Sequence, residues 1–386
     1  MVSKLKTVIK IIIYRFIDFF IKPSKEIKTK SLLLIRIDAI GDYVLFRNFI
    51  EVLRKSNKYK GYSITLLGNS VWKSLSQELD GEYIDNFIWL DRSKFYNDLF
   101  YRYKKLQELV SNGYEIILSP IYSREPYIAD NVVKLITAKE KIGSIGNLSN
   151  IKKWQKTISD KYYTKLIYAK KELMFEFYRN KEFFEYLLDT KINIIKPMIL
   201  LKNKESEHQL PEKYAVLFIG GSEKHKKWDI EKFAQVSNYL KKQYGYDIVL
   251  CGAQENIEEA NELQKYYDKK VLNLVGKTSL LELLKIICNG DLIFSNETSA
   301  PHFAAALEMK YIFVIFSGKY YGWFCPYPKE ISENYHVINH PHINKNWYDH
   351  KKLSKSYGFL KNQNINEISF EKVKNEIDLV MNNVQI

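Results

Sequence analysis

The chain has 386 residues, 46% of them hydrophobic and 15% aromatic, with 59 Lys and Arg against 45 Asp and Glu for a formal net charge of +14. Ordinary apolar content with only 16 glycines and 9 prolines excludes disorder and collagen-like repeats, and the length exceeds the roughly 150 residues of one typical domain. Three scattered cysteines, Cys251, Cys288 and Cys325, form neither a disulfide framework nor a CxxC zinc pair, which fits a reducing compartment. The surplus of positive charge asks for an acidic partner, which could be nucleic acid, anionic lipid or a phosphorylated small molecule.

Residues 1–30 carry eight basic and two acidic side chains, so close to half of the excess charge lies in this leader. Within it, Ile9, Ile12, Ile13, Phe16, Phe19 and Phe20 fall on one face of a predicted helix that Pro23 stops. Lys10, Arg15 and Asp18 interrupt the apolar run. That excludes a signal-peptide core and a spanning helix, which needs about 20 apolar residues. Two readings stay open, an interfacial helix on an anionic cytoplasmic leaflet and a helix packed on the body of the protein.

From Ser31 the chain alternates short β-rich apolar runs with longer helical patterns, the signature of βαβ units and a mainly parallel sheet. Strands are predicted at Leu32–Ile37, Ser63–Leu67, Phe87–Leu90 and Glu115–Leu118, with helices at Asp42–Lys55, Val71–Gln77, Phe95–Ser111 and Tyr127–Thr137. Residues 147–169, rich in Lys and Tyr, read as a rim insertion. After a helix near Leu173–Leu188 and an extended Lys191–Leu201 the pattern restarts. Its strands are Tyr214–Ile219, Ile248–Cys251, Val271–Leu274, Leu292–Phe294 and Ile312–Phe316. Its helices are Ile230–Tyr244, Glu258–Tyr267, Leu280–Cys288 and one from about Ser299, and a terminal helix over Ile365–Met381 packs back on the body. Two doubly wound halves joined near residues 190–210 would bind ligands beyond the carboxyl ends of their strands.

Three strand-end loops carry chemistry. In Arg36-Ile-Asp-Ala-Ile-Gly-Asp42, Gly41 suits a tight turn and close ligand approach. Asp42 would open a helix, as a cap or as a carboxylate able to take a proton from a substrate hydroxyl. In Phe218-Ile-Gly-Gly-Ser-Glu-Lys-His-Lys-Lys-Trp228, Gly220 and Gly221 expose backbone amides beside Lys224, Lys226 and Lys227, a combination suited to phosphate. Ser295-Asn-Glu-Thr-Ser-Ala-Pro-His302 places Thr298, Ser299 and His302 at the N-terminus of an Ala-rich helix, an anion site. The Cys251-Gly-Ala-Gln-Glu255 turn offers Gln254 or Glu255 for a ribose hydroxyl. His336, His340 and His342 sit in a loop-like stretch and read as solvated side chains rather than a zinc site.

Together these loops resemble glycosyltransferase family 9, the ADP-heptose lipopolysaccharide heptosyltransferases and their relatives. The resemblance rests on Leu33–Asp42, Lys226-Lys227-Trp228, Cys251-Gly252-Ala253 and Ser295–His302 followed by Ala304-Ala305-Ala306-Leu307, and spans about residues 31–320. It implies an α/β GT-B fold, two Rossmann-like doubly wound domains facing a cleft, with an amphipathic N-terminal helix. The implied domains are a basic leader over 1–30, an acceptor domain over 31–195 and a nucleotide-sugar domain over 196–386. It further implies inverting transfer without a metal or other cofactor, from a nucleotide diphosphate sugar, ADP-linked, to a lipopolysaccharide or other cell-surface glycan. By position Asp42 matches the catalytic base, Lys226 the diphosphate-binding lysine, and Thr298 and His302 the residues at the nucleotide's phosphates. Glu297-Thr298-Ser299 stands where heptosyltransferases usually have Asp-Thr-Gly, and the longer carboxylate changes contacts near the donor sugar. The implied location is peripheral, on the inner face of the cytoplasmic membrane. The competing readings are a nucleotide-sugar isomerase or hydrolase of the same fold and a non-catalytic membrane-surface protein. A nucleic-acid-binding protein falls behind for want of an RRM, KH or helix-turn-helix signature.

Overall fold

The computed structural model describes residues 2–221, 223–267, 269, 271–345 and 364–382, with side chains from Ile9 onward except at Lys224. The chain divides into two compact units. The first comprises residues 1–171 and 178–193. It runs α1 (Val2–Phe20), β1 (Ile27–Arg36), α2 (Ile40–Phe46), α3 (Asn48–Lys55), β2 (Ser63–Asn69), α4 (Lys73–Asp80), β3 (Asn86–Leu90), α5 (Arg92–Asn97), α6 (Leu99–Val110), β4 (Gly113–Ser119), α7 (Ala129–Leu135), β5 (Ala138–Ser144), α8 (Lys153–Ser159) and β6 (Lys165–Ile167), and most of α9 (Glu176–Leu188) follows. The second unit, residues 172–177 and 194–386, contains β7 (Tyr214–Phe218), α10 (Ile230–Tyr244), β8 (Asp247–Cys251), α11 (Ile257–Tyr266), β9 (Leu272–Asn273), α12 (Leu280–Asn289), β10 (Leu292–Asn296), α13 (Ser299–Ala306), β11 (Tyr311–Phe316), β12 (Tyr335–Asn339), α14 (Pro341–Lys345) and α15 (Phe370–Asn382).

Each unit is built on a six-stranded parallel sheet, in the orders β3-β2-β1-β4-β5-β6 and β9-β8-β7-β10-β11-β12. Both repeat one doubly wound topology, whose order reverses between β1 and β4 in the first sheet and between β7 and β10 in the second. Helices covering both faces explain why the central strands are unbroken apolar runs, with every residue of β10 and β11 buried. Each Leu or Ile so buried contributes on the order of 1.5–3 kcal/mol before cavity terms are added.

Local chemistry sets the helix ends. The Asp229 carboxylate accepts the Glu231 N–H at 3.0 Å to start α10, and Gly245, at φ +77°, closes it. The predicted single helix Phe95–Ser111 is instead two. Asp98 accepts from the N–H groups of Phe100 and Tyr101 and so caps a fresh helix, α6. The predicted helix Asp42–Lys55 is likewise divided at Arg47, whose buried guanidinium reaches the Asp80 carboxylate at 2.8 Å.

Residues 147–169 are more than a rim insertion. They supply α8 and the edge strand β6, which pairs with β5, a strand masked in the sequence by its Lys-Glu-Lys start. The segment 335–342 is not a loop of solvated histidines either. His336 lies on edge strand β12, where burial lowers its pKa, and His340 is buried with Nε2 3.2 Å from a Glu367 carboxylate oxygen. The terminal helix α15 puts Val373, Ile377 and Met381 into the core of the second unit, and Asp378 accepts from Tyr239 and Tyr244 of α10.

The leader helix α1 divides its residues between two environments. Tyr14 and Asp18, and Ile21 just past the helix end, are buried against the rest of the first unit, whereas Ile9, Ile12, Phe16, Phe19 and Phe20 are exposed. No helix among the described residues is long and apolar enough to cross a membrane.

Candidate active site

In the second unit the sheet order reverses between β7 and β10, so the loops leaving these strands diverge around one point. Asn296, the last residue of β10 and fully buried, ties them together. Its Nδ2 donates to the carbonyls of Ile219 and Gly220, both at 3.1 Å, while its Oδ1 accepts the Trp228 N–H at 3.1 Å. Asn296→Asp cannot donate to those carbonyls. It is expected to cost about 3 kcal/mol, read as a lower urea midpoint at unchanged slope.

The next residue, Glu297, pairs with Lys226, their charged atoms 2.9 Å apart and both residues 8% exposed. Burial raises the Glu297 carboxyl above the usual carboxylate range against the pull of Lys226. For Lys226 burial acts downward, but Glu297 and Glu223 outweigh it and raise the ammonium's pKa. A lysine is thereby held charged and oriented at the strand ends, with the Tyr320 ring 5.7 Å from its nitrogen. Gly220 and Gly221 are required by space. A Cβ would meet Phe218 Cε1 at 2.9 Å in the first and Lys227 Cγ at 2.9 Å in the second. Lys224 shares the short 3-10 turn Lys224–Lys226, but its side chain lies outside the described residues.

Thr298 is the N-cap of α13, its Oγ1 accepting the Ala300 N–H at 3.4 Å. Pro301 has no N–H, so the outward donors of this helix start concentrate at Ser299, whose N–H has no intrahelical partner. His302, one turn in, is buried, with Nδ1 2.8 Å from the Tyr327 hydroxyl. Burial, reinforced by Lys226, pushes its pKa down to about 4. The unfolded imidazole titrates near 6.5, so between there and about 4 the unfolded chain binds the additional proton. Stability therefore falls as the pH drops through that window, by up to about 3 kcal/mol. His302→Gln is expected to remove this dependence, measured as the difference between urea midpoints at about pH 7 and about pH 4.5. Glu255 is exposed on the turn Gln254–Asn256, whose buried Asn256 would sit 3.1 Å from a Cβ at Gly220.

In the first unit, the loop after β1 is organised by Arg36, which ends the strand and is 1% exposed. Its Nε lies 3.0 Å from Asp38 Oδ2, its Nη1 donates to Asn180 Oδ1 at 3.0 Å, and its Nη2 lies 3.8 Å from Asp42 Oδ1. The Asp38 carbonyl accepts from Asn69 Nδ2 at 3.1 Å and Trp72 Nε1 at 3.0 Å, fixing the loop backbone. Asp42 lies in the first turn of α2, but the cap position is Ala39. Gly41 is a helical residue there rather than a tight turn, so its contribution is the lack of a side chain beside Asp42.

Beside this loop lies a cavity of about 980 Å³ lined by Ala39, Ile40, Asn69, Arg92, Glu125 and Tyr127, among others. That is near the top of the roughly 300–1,000 Å³ range of ligand pockets. Arg92 pairs with Glu125. Burial opposes the charge on Arg92, but Glu125, Asp38 and Asp42 raise its pKa, which places both loop aspartates within electrostatic reach of the cavity wall. Burial raises the Glu125 carboxyl.

The sequence singled out Lys226, Glu297, Thr298, Ser299 and His302, and the fold gathers them in the second unit. Asp42 lies in the first unit, and each unit offers its own set of groups. Arg36 and Asn296 were passed over as functional residues. For Arg36 the signal was available, a charged residue directly after the apolar run Leu32–Ile35. Among the described residues no three His, Cys, Asp or Glu side chains gather as a metal site.

A sequence profile of glycosyltransferase family 9 (heptosyltransferase) matches residues 131–332. The structure is similar to that of a glycosyl transferase family 9 protein from Veillonella parvula DSM 2008, at TM-score 0.70 and 17% identity over 93% of this chain and 99% of that one. It is also similar to the E. coli heptosyltransferase WaaC with ADP-2-deoxy-2-fluoro heptose, at TM-score 0.64 and 16% identity, covering 90% and 99% of the two chains. A third, the E. coli ADP-heptose lps heptosyltransferase II, aligns at TM-score 0.62 and 15% identity over 92% and 100%. At these identities the likeness establishes the α/β fold of the GT-B class. No curated protein matches by sequence.

Proposed function

The chain belongs to glycosyltransferase family 9, and from that premise we propose inverting, metal-independent transfer of a sugar from a nucleotide diphosphate sugar to a lipopolysaccharide or other cell-surface glycan at the inner face of the cytoplasmic membrane. The observation that carries this reading is the buried Lys226–Glu297 pair at the head of α13, a fixed cation beside a helix N-terminus. Asp42 takes the proton of the acceptor hydroxyl. The freed oxygen attacks the anomeric carbon, and the bond from that carbon to the diphosphate breaks with its electrons leaving on the nucleoside diphosphate. Lys226, Lys224 and the N–H of Ser299 stabilise the charge of that leaving group in place of a divalent ion. Thr298 shapes the helix start, and the backbones of Gly220 and Gly221 approach the phosphates. Tyr327 donating to Nδ1 leaves the His302 proton on Nε2, from which it donates to a phosphate or ribose oxygen. Glu255 takes a ribose hydroxyl, and Glu297 both holds Lys226 and meets the donor sugar. Heptose is one candidate sugar and ADP the favoured nucleotide, in keeping with the WaaC structure that holds an ADP-linked fluoroheptose.

Product analysis tests this. Incubation with ADP-heptose and related nucleotide sugars, with and without truncated glycolipid acceptors, is expected to give acceptor-dependent release of the nucleoside diphosphate together with a glycosylated, inverted product. Equal release without acceptor would mark a hydrolase, and a rearranged sugar nucleotide an isomerase.

A further inference from the structure

We propose that the outward face of α1, continued by exposed side chains of α6 and α8, docks the protein on an anionic bilayer, so that the cavity of the first unit receives a glycan whose lipid stays in that bilayer. The docking stands on the geometry of the first unit, and the assignment of the acceptor rests on the transferase reading above.

The two faces of α1 are used in reverse of an ordinary surface helix, which buries its apolar stripe. Its inward face is mixed and specifically bonded. The Tyr14 hydroxyl donates to the Tyr96 carbonyl, and the Arg102 guanidinium lies 3.9 Å from the centroid of the Tyr14 ring. Asp18 accepts from Asn131 at 3.2 Å and pairs with Lys134 at 2.9 Å. Its outward face is apolar, with Ile12 61%, Phe16 65% and Phe19 81% exposed. Polar contacts thus hold the helix on the body while its phenylalanines face away.

The apolar surface continues on both flanks. On α6, Phe100 is 67% exposed with Lys104 Nζ 4.5 Å from its ring centroid, and Gln107 donates to the Phe20 carbonyl at 3.4 Å and to the exposed Tyr103. On α8, Trp154 and Ile158 are exposed and share a groove with Ile11 and Arg15 of α1. Arg15, Lys22, Lys25, Lys104 and Lys153 are exposed along these same segments. Aromatic and aliphatic side chains bordered by lysine and arginine match the acyl boundary and headgroups of an anionic leaflet. A second copy of this chain is the poorer occupant, since it would set the same positive charge against itself.

The patch also adjoins the cavity. Lys10 of α1 lies 3.4 Å from the Tyr96 ring centroid and donates to Asn97 Oδ1, and both of those residues line the cavity. Gln155 of α8 lines it too and donates to the hydroxyl of Tyr127 in the same wall, at 2.7 Å. The helices that would rest on the lipid are therefore the ones that border the acceptor's entry.

Sedimentation of the full chain with vesicles tests the docking. It is expected to bind phosphatidylglycerol–phosphatidylethanolamine vesicles, more weakly as salt is raised, and to leave phosphatidylcholine vesicles largely unbound. Phe16→Ser combined with Phe19→Ser is expected to cut the partition at least about tenfold. Because both side chains are exposed, the unfolding midpoint, ADP binding and turnover of a soluble, lipid-free acceptor should stay unchanged. Failure of the wild type to bind anionic vesicles while it still binds ADP would overturn the docking and leave the transferase reading intact. So would an undiminished partition in the double variant, or a dimer in vesicle-free solution that Phe16→Ser disperses. Vesicle binding without any nucleoside diphosphate binding would uphold the docking and sink the transferase reading with the acceptor that depends on it.

Discussion

Asp42→Asn is expected to lower kcat by about a thousandfold, the middle of the range for removal of a general base, while the Kd for ADP stays unchanged. The amide keeps the shape of the carboxylate but cannot take the acceptor's proton. The fold should tolerate the change, because Arg36 keeps its contacts with Asp38 and Asn180, each at 3.0 Å, and loses only the looser 3.8 Å approach to Asp42. Steady-state kinetics with saturating acceptor, beside calorimetric ADP binding, check both halves of the expectation. Undiminished turnover would remove Asp42 from the role and pass it to Asp38, the other carboxylate of the same loop.

Lys226→Ala carries the second large effect, and it has two parts. Loss of the cation from the diphosphate is expected to lower kcat/KM for the donor by about a hundred- to a thousandfold. The same change strands the buried Glu297 carboxylate, and breaking a buried pair from one side costs about 3–5 kcal/mol of stability. The double variant Lys226→Met with Glu297→Gln separates the parts. It removes both charges at similar volume, so the unfolding midpoint should recover most of the loss while donor kinetics stay impaired. Recovery of donor kinetics along with stability would make Lys226 a structural residue only.

The two-unit α/β architecture was legible in the sequence because parallel strands buried on both faces are written as continuous apolar runs. Ile230–Tyr244 was read to the residue, since its Asp229 cap and Gly245 stop are both local signals. What escaped was written in polar letters. Strand β5 begins Ala-Lys-Glu-Lys, and β12 holds His336 within its register and is followed directly by His340, so tertiary pairing overrode local composition. At the site, residue types and spacing pointed to Lys226, Thr298 and His302. The contact between Lys226 and Glu297 was not legible, because 71 positions separate them and only the reversal of strand order between β7 and β10 brings their loops together. The leader was legible as amphipathic but not in its direction. The pattern named an apolar face, and the bonds of Tyr14 and Asp18 decided that it points away from the body.

The central claim is that the second unit holds a nucleoside diphosphate with protein charges rather than a metal ion. Calorimetric titration of the full chain with ADP in the presence of EDTA tests it most directly. The expected result is binding that the chelator leaves unchanged, that AMP reproduces only weakly, and that Lys226→Met with Glu297→Gln abolishes. Absence of binding by ADP and every other nucleoside diphosphate, or binding that appears only when a divalent cation is restored, would contradict the account.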